Sequence, residues 1–466
     1  MKKIIFILLI GTFFYDSKTQ IPIPSKDQIA WQNDEFYLFC HFGPNTFSNL
    51  EWGEGTEHED IFNPGALDCE QWCRIAKDAG AAGIIITAKH HDGFCLWPSK
   101  YSNHTVQQSK WKNGQGDVLK DLSKACNKYG LKFGVYISPW DRNHPLYGTS
   151  EYNKVFVNMM KEIFQNYGPV WEMWWDGANG EGPNGKKQVY DWKLFENTVN
   201  EYSPHTIVFS DIGPDCRWVG NENGIAGTTN WGNLDTVGFK RGYGSPPMDT
   251  LNQGNMNGKY FIPAECDVSI RPGWFYHENE NNKVKNPEQL FDLYLKNVGR
   301  GANFLLNVPP DRKGLFSAPD SISLAGFKKL KDEAFNNDLA KGARVIIERT
   351  AIAAENQLYF AENQKLSHII DSVIWVKFND LKTINCIVIK EDLTKGQLIK
   401  KCELKFFNNQ ELVKTLKLTT IGHKRIVTFP EETITDIKIT ITDAKANPTI
   451  TEVQVFKIPE ELIEKE

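Results

Sequence analysis

"VWEMWWDGANG", residues 170–180, is an apolar, tryptophan-rich run that ends on one carboxylate, Asp176, and passes into glycine. A run of this kind reads as a buried strand, and the glycines after it as the exit loop. An Asp at that junction either caps the next turn, as Asp often does, or carries chemistry. What decides between them is which other strands end beside it.

Similar runs recur at "FYLFCHF" (36–42), "GIIITAKHH" (83–91), "KFGVYIS" (132–138), "TIVFSD" (206–211), "YFIPAEC" (260–266) and "NFLLNVPP" (303–310), with a weaker one near 224–231. Helical patterns separate them. Asp68 and Gln71 predict a capping box ahead of Trp72, Ile75, Ala76 and Ala79, and Val118, Leu119, Leu122, Cys126 and Tyr129 form one apolar stripe. Asn286, Pro287 and Gln289 open a further helix. Seven or eight such βα units predict a (β/α)8 TIM-like barrel over residues 21–340. A doubly wound open sheet is the alternative, but no G-x-G-x-x-G follows a strand. After a helix around 319–336 the pattern changes to short alternating runs, among them "SVIWVKF", "NCIVIK", "RIVTF" and "DIKITIT". They predict a C-terminal all-β sandwich over 341–466, with the boundary near 337–348.

Composition narrows the function classes. A net charge of −5 supplies no electrostatic footprint for nucleic acid. Fourteen Trp offer flat faces that suit sugar rings as well as protein interiors. The first twenty residues, "MKKIIFILLIGTFFYDSKTQ", place Lys2 and Lys3 before an apolar run from Ile4 to Ile10, the layout of a signal peptide, so export to the periplasm or the medium is expected. A short membrane anchor is the alternative, since no A-x-A site follows. No later stretch approaches 18 apolar residues, so no membrane span is expected in the mature chain. Nine cysteines, an odd number scattered through apolar contexts, read as buried free thiols rather than a disulfide framework. Cys69 and Cys73 lack a second ligand pair at zinc-site spacing, so neither a metal nor a cofactor is expected.

In a (β/α)8 barrel the active site lies at the C-terminal ends of the strands. Here those ends carry His41, the run His90-His91-Asp92, Tyr136, Trp140, Asp141, Asp176, Asp211 and Glu265. A metal-dependent hydrolase would need ligand spacing that "KHHDGF" lacks, because adjacent residues on a strand face opposite ways. Serine or cysteine nucleophile chemistry would need an elbow such as G-x-S-x-G, which is absent. Two carboxylates flanking a scissile bond, with aromatic walls and imidazoles as hydroxyl partners, fit glycoside hydrolysis.

The motifs "HFGPNTF", "LEWGEG", "AKHHDGFCLWPS", "GVYISPWDR", "EMWWDGA" and "NFLLNVPP" together resemble the α-L-fucosidases of glycoside hydrolase family 29, over roughly residues 25 to 335. The details are more similar to the branch acting on α-1,3/1,4-linked fucose than to the branch of broad specificity. The resemblance implies that Asp176 is the nucleophile and that His41, Glu51, Trp52, His90, His91, Tyr136 and Trp174 surround the fucose ring. It implies a general acid/base some forty-odd residues beyond the nucleophile. Glu222, 46 residues on, stands in a Gly/Asn loop where partial burial near Trp218 and Trp231 would raise its pKa. Glu265 in "IPAECD" is its competitor. Arg271 and Trp274, in "SIRPGWF", are expected on the rim, with Trp274 against the C6 methyl of the sugar. The expected partner is a fucosylated oligosaccharide or glycoconjugate. Another exo-glycosidase such as an α-galactosidase, or a non-catalytic fucose-binding protein, are the rival readings. The C-terminal domain resembles galactose-binding-like sandwiches and is expected to be structural.

Overall fold

Period-2 alternation sorts the first strand, β1 (Phe36–Cys40), into two faces. Tyr37 and Phe39 join an inner aromatic cluster, and Phe36, Leu38 and Cys40 join the outer shell that packs on helices. The computed structural model describes residues 21–242, 248–349, 356–359 and 372–463. The expected signal segment 1–20 lies outside them. The next strands are β2 (Gly83–Lys89), β3 (Lys132–Ile137), β4 (Glu172–Trp174), β5 (Ile207–Ser210) and β6 (Cys216–Trp218). A short ladder of β7 (Asn233–Leu234) and β8 (Tyr260–Phe261) stands apart, and β9 (Ala264–Ser269) and β10 (Asn303–Asn307) complete the set. The barrel closes in the order β1-β10-β9-β6-β5-β4-β3-β2, all parallel.

Three local expectations need correction. The sixth barrel strand is Cys216–Trp218, not the run near 224–231, and residues 211–215 join it to β5 without a helix. "YFIPAEC" divides, its first two residues pairing with Asn233–Leu234 and the rest entering the barrel. Asp68 caps its helix by accepting the Gln71 backbone N–H, but the Gln71 side chain turns to the Phe316 backbone instead of closing a box. The Asn286–Gln289 box is complete.

The barrel is plugged from below by the helix Lys26–Gln32, whose Gln28 amide donates to the carbonyls of Asp215 and Phe261. Trp31 donates to Glu172 inside the barrel. All nine cysteines are buried free thiols. No helix among the described residues is long and apolar enough to cross a membrane.

The last barrel helix ends at Phe335, and the antiparallel β domain follows: β11 (Arg344–Arg349), β12 (Asn356–Tyr359), β13 (Ser372–Glu391), β14 (Ile399–Asn408), β15 (Glu411–Leu418), β16 (Arg425–Ala444) and β17 (Ile450–Phe456). Pairs of runs that look separate in the sequence fuse into β13 and β16, with register shifts between Lys377 and Lys382 and between Ile384 and Cys386. An irregularity of this kind bends a strand without ending it. This domain clamps one barrel loop. Gln397 accepts the Gly232 N–H at 2.6 Å and donates to the Asn230 carbonyl, Thr420 accepts the Asn230 N–H, and Lys445 lies 4.1 Å over the Trp231 ring.

Candidate active site

The end of β4 shows what each oxygen of its Asp meets. Alternation turns Trp174 into the barrel, stacked on Phe209 (ring centroids 4.0 Å apart) and on Tyr136 (5.2 Å). Trp175 turns outward against Trp192 and Phe195. Asp176, just beyond the strand, uses its two oxygens differently: Oδ1 accepts the Ala178 N–H at 2.7 Å and Oδ2 accepts the Tyr136 hydroxyl at 2.9 Å. One oxygen caps the turn, and the other is held toward a cavity of about 200 Å³.

Phe39, His41, Glu51, Trp52, His90, His91, Tyr136, Trp174, Asp176, Ala178, Glu222, Asp267 and Trp274 line that cavity. They come from the ends of several strands and the loops beyond. A larger groove, about 1150 Å³, between the helices Val118–Tyr129 and Ser150–Tyr167 contains none of them.

The three imidazoles are neutral. Burial pushes His41 down to about 3 and His91 to about 4, the latter against the pull of Asp176, and it lowers His90 well below the usual range. His41 Nδ1 lies 2.9 Å from Asn307 Oδ1, and the Asn307 amide donates to Ser269 and the Trp274 carbonyl. His41 therefore carries its proton on Nδ1 and keeps Nε2 as an acceptor. Ser138 donates to the Trp140 carbonyl and accepts from His91 Nδ1 at 2.8 Å, so His91 Nε2 is likewise an acceptor. That nitrogen lies 3.7 Å from Asp176 Oδ2, too far for a direct hydrogen bond and suited to a hydroxyl between them. The expectation that His90 and His91 face opposite ways fails because β2 ends at Lys89. Beyond it the backbone is no longer pleated, and the two rings lie 4.2 Å apart.

Glu51 lines the cavity but spends its oxygens on a loop. It accepts from the backbone N–H of Trp274 (2.7 Å) and Phe275 (3.3 Å) and from His277 Nε2 (2.6 Å). The bonds fix Trp274, which lies 5.0 Å from His41 between ring centroids and donates its indole N–H to Glu222 at 3.2 Å. Trp52 is exposed and meets His91 and Trp140 edge-on.

Glu222 is exposed at the cavity, so the expected partial burial is absent, and Trp231 is not its neighbour but lies under Lys445. Glu265 does not reach the cavity. It is fully buried one layer below, accepting from Tyr37 and from the Trp174 indole at 2.8 Å, with Glu172 beside it. Glu172, Cys216 and Glu265 bring donor atoms within 4.8 Å of one another. N–H and O–H donors from Trp31, Tyr37 and Trp174 converge on the two carboxyls, and burial raises both, which fits a shared proton better than a cation. The carboxyl that faces the cavity from β9 is Asp267, raised by burial and then by Glu222, with Trp218 donating to it at 2.8 Å. Sequence reasoning missed Asp267 and Phe39. The signal for Asp267 was present: it is two residues beyond Glu265, on the same strand face and nearer the C-terminal end.

Arg271 is not on the rim. It is buried against Asp320 (3.0 Å), Ser317 (2.7 Å) and Asn281 (2.9 Å), over the Tyr276 ring, and ties β9's exit to the last barrel helix. Arg271→Ala strands a buried carboxylate, and a loss of about 3–5 kcal/mol in urea unfolding is expected. A variant of unchanged stability that binds sugar poorly would return Arg271 to the rim.

Comparison with known proteins gives a consistent result. A family model described as alpha-L-fucosidase matches residues 25–327. Alpha-L-fucosidase 1 of Arabidopsis thaliana is 38% identical, over 92% of this chain and 86% of its own. The crystal structure of a putative alpha-L-fucosidase from Bacteroides thetaiotaomicron is similar with a TM-score of 0.85 at 35% identity, covering 94% of this chain and 98% of that one. A glycoside hydrolase family 29 fucosidase from Ruminococcus gnavus, solved in complex with fucose, has a TM-score of 0.82 at 29% identity, covering 95% and 96%.

Proposed function

Because the chain belongs to the α-L-fucosidase family, glycoside hydrolase family 29, we propose that this α-L-fucosidase is a retaining exo-enzyme that removes terminal α-1,3- or α-1,4-linked L-fucose by double displacement. The observation that carries the reading is the pairing of two carboxyl groups, Asp176 and Glu222, in one cavity with neutral imidazoles and aromatic walls. Neutral His41 and His91 present acceptors to sugar hydroxyls, and Trp274 and Phe39 present apolar surface to the C6 methyl.

In the first step Asp176 Oδ2 attacks C1 while Glu222 gives its proton to the departing glycosidic oxygen, and the C1–O bond breaks. In the second, Glu222 takes a proton from water, the water oxygen bonds to C1, and the bond to Asp176 breaks. Tyr136 fixes the attacking oxygen and Trp274 fixes Glu222. The basic and then apolar leader-like start of the sequence supports action outside the cytoplasm.

Stereochemistry tests the mechanism. Proton NMR during the first minutes of hydrolysis is expected to show α-L-fucose before mutarotation produces the β anomer. Initial release of β-L-fucose would mean a single displacement by water and would remove Asp176 from the nucleophile's role.

A further inference from the structure

The loop that carries Glu222 leaves β6 with the Val219 N–H bound to the Glu265 carbonyl and runs to Gly232, where the short ladder begins. The Asn221 side chain closes its tip into one turn. Oδ1 accepts the N–H groups of Asn223 (3.1 Å) and Ile225 (3.3 Å), and Nδ2 donates to the Ile225 carbonyl (2.9 Å). A tip braced in this way passes a displacement of its foot on to Glu222 instead of absorbing it. Among the described residues the Glu222 side chain accepts one hydrogen bond, from Trp274, so its place depends chiefly on the backbone beneath it.

The far foot of the loop, residues 228–232, is held from the C-terminal domain. Besides the bonds of Gln397 and Thr420 to Asn230 and Gly232, the Thr228 carbonyl accepts from Thr419 (3.1 Å) and from Arg425. Gln397 and Thr420 are each 2% exposed and lie in separate segments, which one buried carboxyl gathers. Glu391 accepts the N–H groups of Leu398 (2.6 Å), Ile399 (2.9 Å) and Gly422 (3.0 Å). The barrel's own hold on the loop leads to the same domain. The Ala226 N–H donates to the Lys296 carbonyl and the Asn230 amide to the Arg300 carbonyl, and between those two residues the Gly299 carbonyl accepts the Ile426 N–H at 2.9 Å.

We propose that the C-terminal β domain sets where the acid/base stands, with Gln397 and Thr420, gathered on Glu391, as positioning residues for the Glu222 loop. A general acid works only within hydrogen-bond reach of the leaving oxygen, and a misplacement of about 1 Å costs up to about 10²-fold in rate. Asp176, Tyr136 and the imidazoles stand at the ends of barrel strands that the clamp does not touch. Loosening the clamp therefore acts on proton transfer and leaves the nucleophile in place. The inference rests on the assignment of Glu222 as acid/base.

The test measures kcat/KM for a fucosylated trisaccharide and for a series of aryl α-L-fucosides whose leaving groups grow steadily poorer. Gln397→Met and Thr420→Val keep the size of the side chain and remove its hydrogen bonds. Each is expected to lower kcat/KM for the trisaccharide about tenfold and for the nitrophenyl fucoside less than about threefold, so that the dependence on the leaving group steepens. Thr420→Ser, which keeps the hydroxyl, is expected to retain the wild-type slope. Lys445→Ala removes only the cation over Trp231 and is expected to steepen the slope to a smaller degree, which decides the matter if the buried variants do not fold. Loss by one common factor across the whole series would mean that the clamp sustains the fold and nothing more, and an unchanged slope would overturn the proposal equally. Glu222→Ala is the reference: if its own slope matches the wild type, the acid/base assignment fails and this inference with it, whereas a steep slope there with parallel clamp variants sinks the positioning role alone.

Discussion

Asp176→Gly is expected to lower turnover of any α-L-fucoside by about four orders of magnitude while the protein stays folded, because no covalent intermediate can form without the carboxylate. The expected chemical signature is more specific than the loss. Glycine leaves a space where the carboxylate stood, and added azide can attack C1 from that side. On an aryl fucoside, whose leaving group needs little protonation, the product is β-L-fucosyl azide, inverted relative to the substrate. Folding is a separate readout, since Asp176 Oδ1 also accepts the Ala178 N–H. Loss of that one cap is expected to lower stability by about 0.5–2 kcal/mol. Asp176→Asn separates the two roles, because the amide oxygen can still accept the Ala178 N–H while the nucleophile is gone. A folded Asp176→Gly or Asp176→Asn enzyme with near-normal turnover would exclude Asp176 as nucleophile.

How far the sequence revealed this site depends on what each residue's position rests on. Tyr136 and Trp174 were legible because strand alternation and the C-terminal-end rule need only the strand's direction and last residue. The barrel was legible for the same reason, except at β6, where Cys216–Trp218 is too short to show a pattern and no helix precedes it. Arg271 was misplaced because a motif match says that a residue belongs near a site, not which way its side chain turns. Its partners Asp320 and Ser317 are 49 and 46 residues away in the chain, a pairing no local pattern reports. Glu265 was misread by stopping at the first carboxylate of "AECD", although Asp267 shares its face one layer nearer the mouth. That Asp176 caps the turn with one oxygen and holds the other toward the cavity was out of reach of sequence alone, since the two readings fall on different oxygens of one group.

Glu222 has the weakest sequence support, and its variant is expected to show the strongest dependence on the leaving group. A sugar alkoxide must be protonated as it leaves, whereas a nitrophenolate departs largely unaided. Glu222→Ala is therefore expected to lower kcat/KM for fucosylated oligosaccharides by about 10²–10⁴ and to change the first step on a nitrophenyl fucoside far less. The second step then stalls, because no base activates water, and the fucosyl-enzyme accumulates. Azide needs no base, so it should restore turnover of the aryl substrate, and since it attacks an intermediate already inverted once at C1 the product is α-L-fucosyl azide, opposite to that of Asp176→Gly. Asp267 is the residue that could take over this role, being a raised carboxyl in the same cavity. It already accepts the Trp218 indole N–H, however, and it is buried where Glu222 is exposed. An exposed loop carboxyl can meet both the glycosidic oxygen and the incoming water, and Trp274 holds it at 3.2 Å through one hydrogen bond. Asp267→Asn is accordingly expected to depress both classes of substrate together, without azide rescue, as loss of a binding group does. Azide rescue of Asp267→Asn with none for Glu222→Ala would move the acid/base from the loop to the strand.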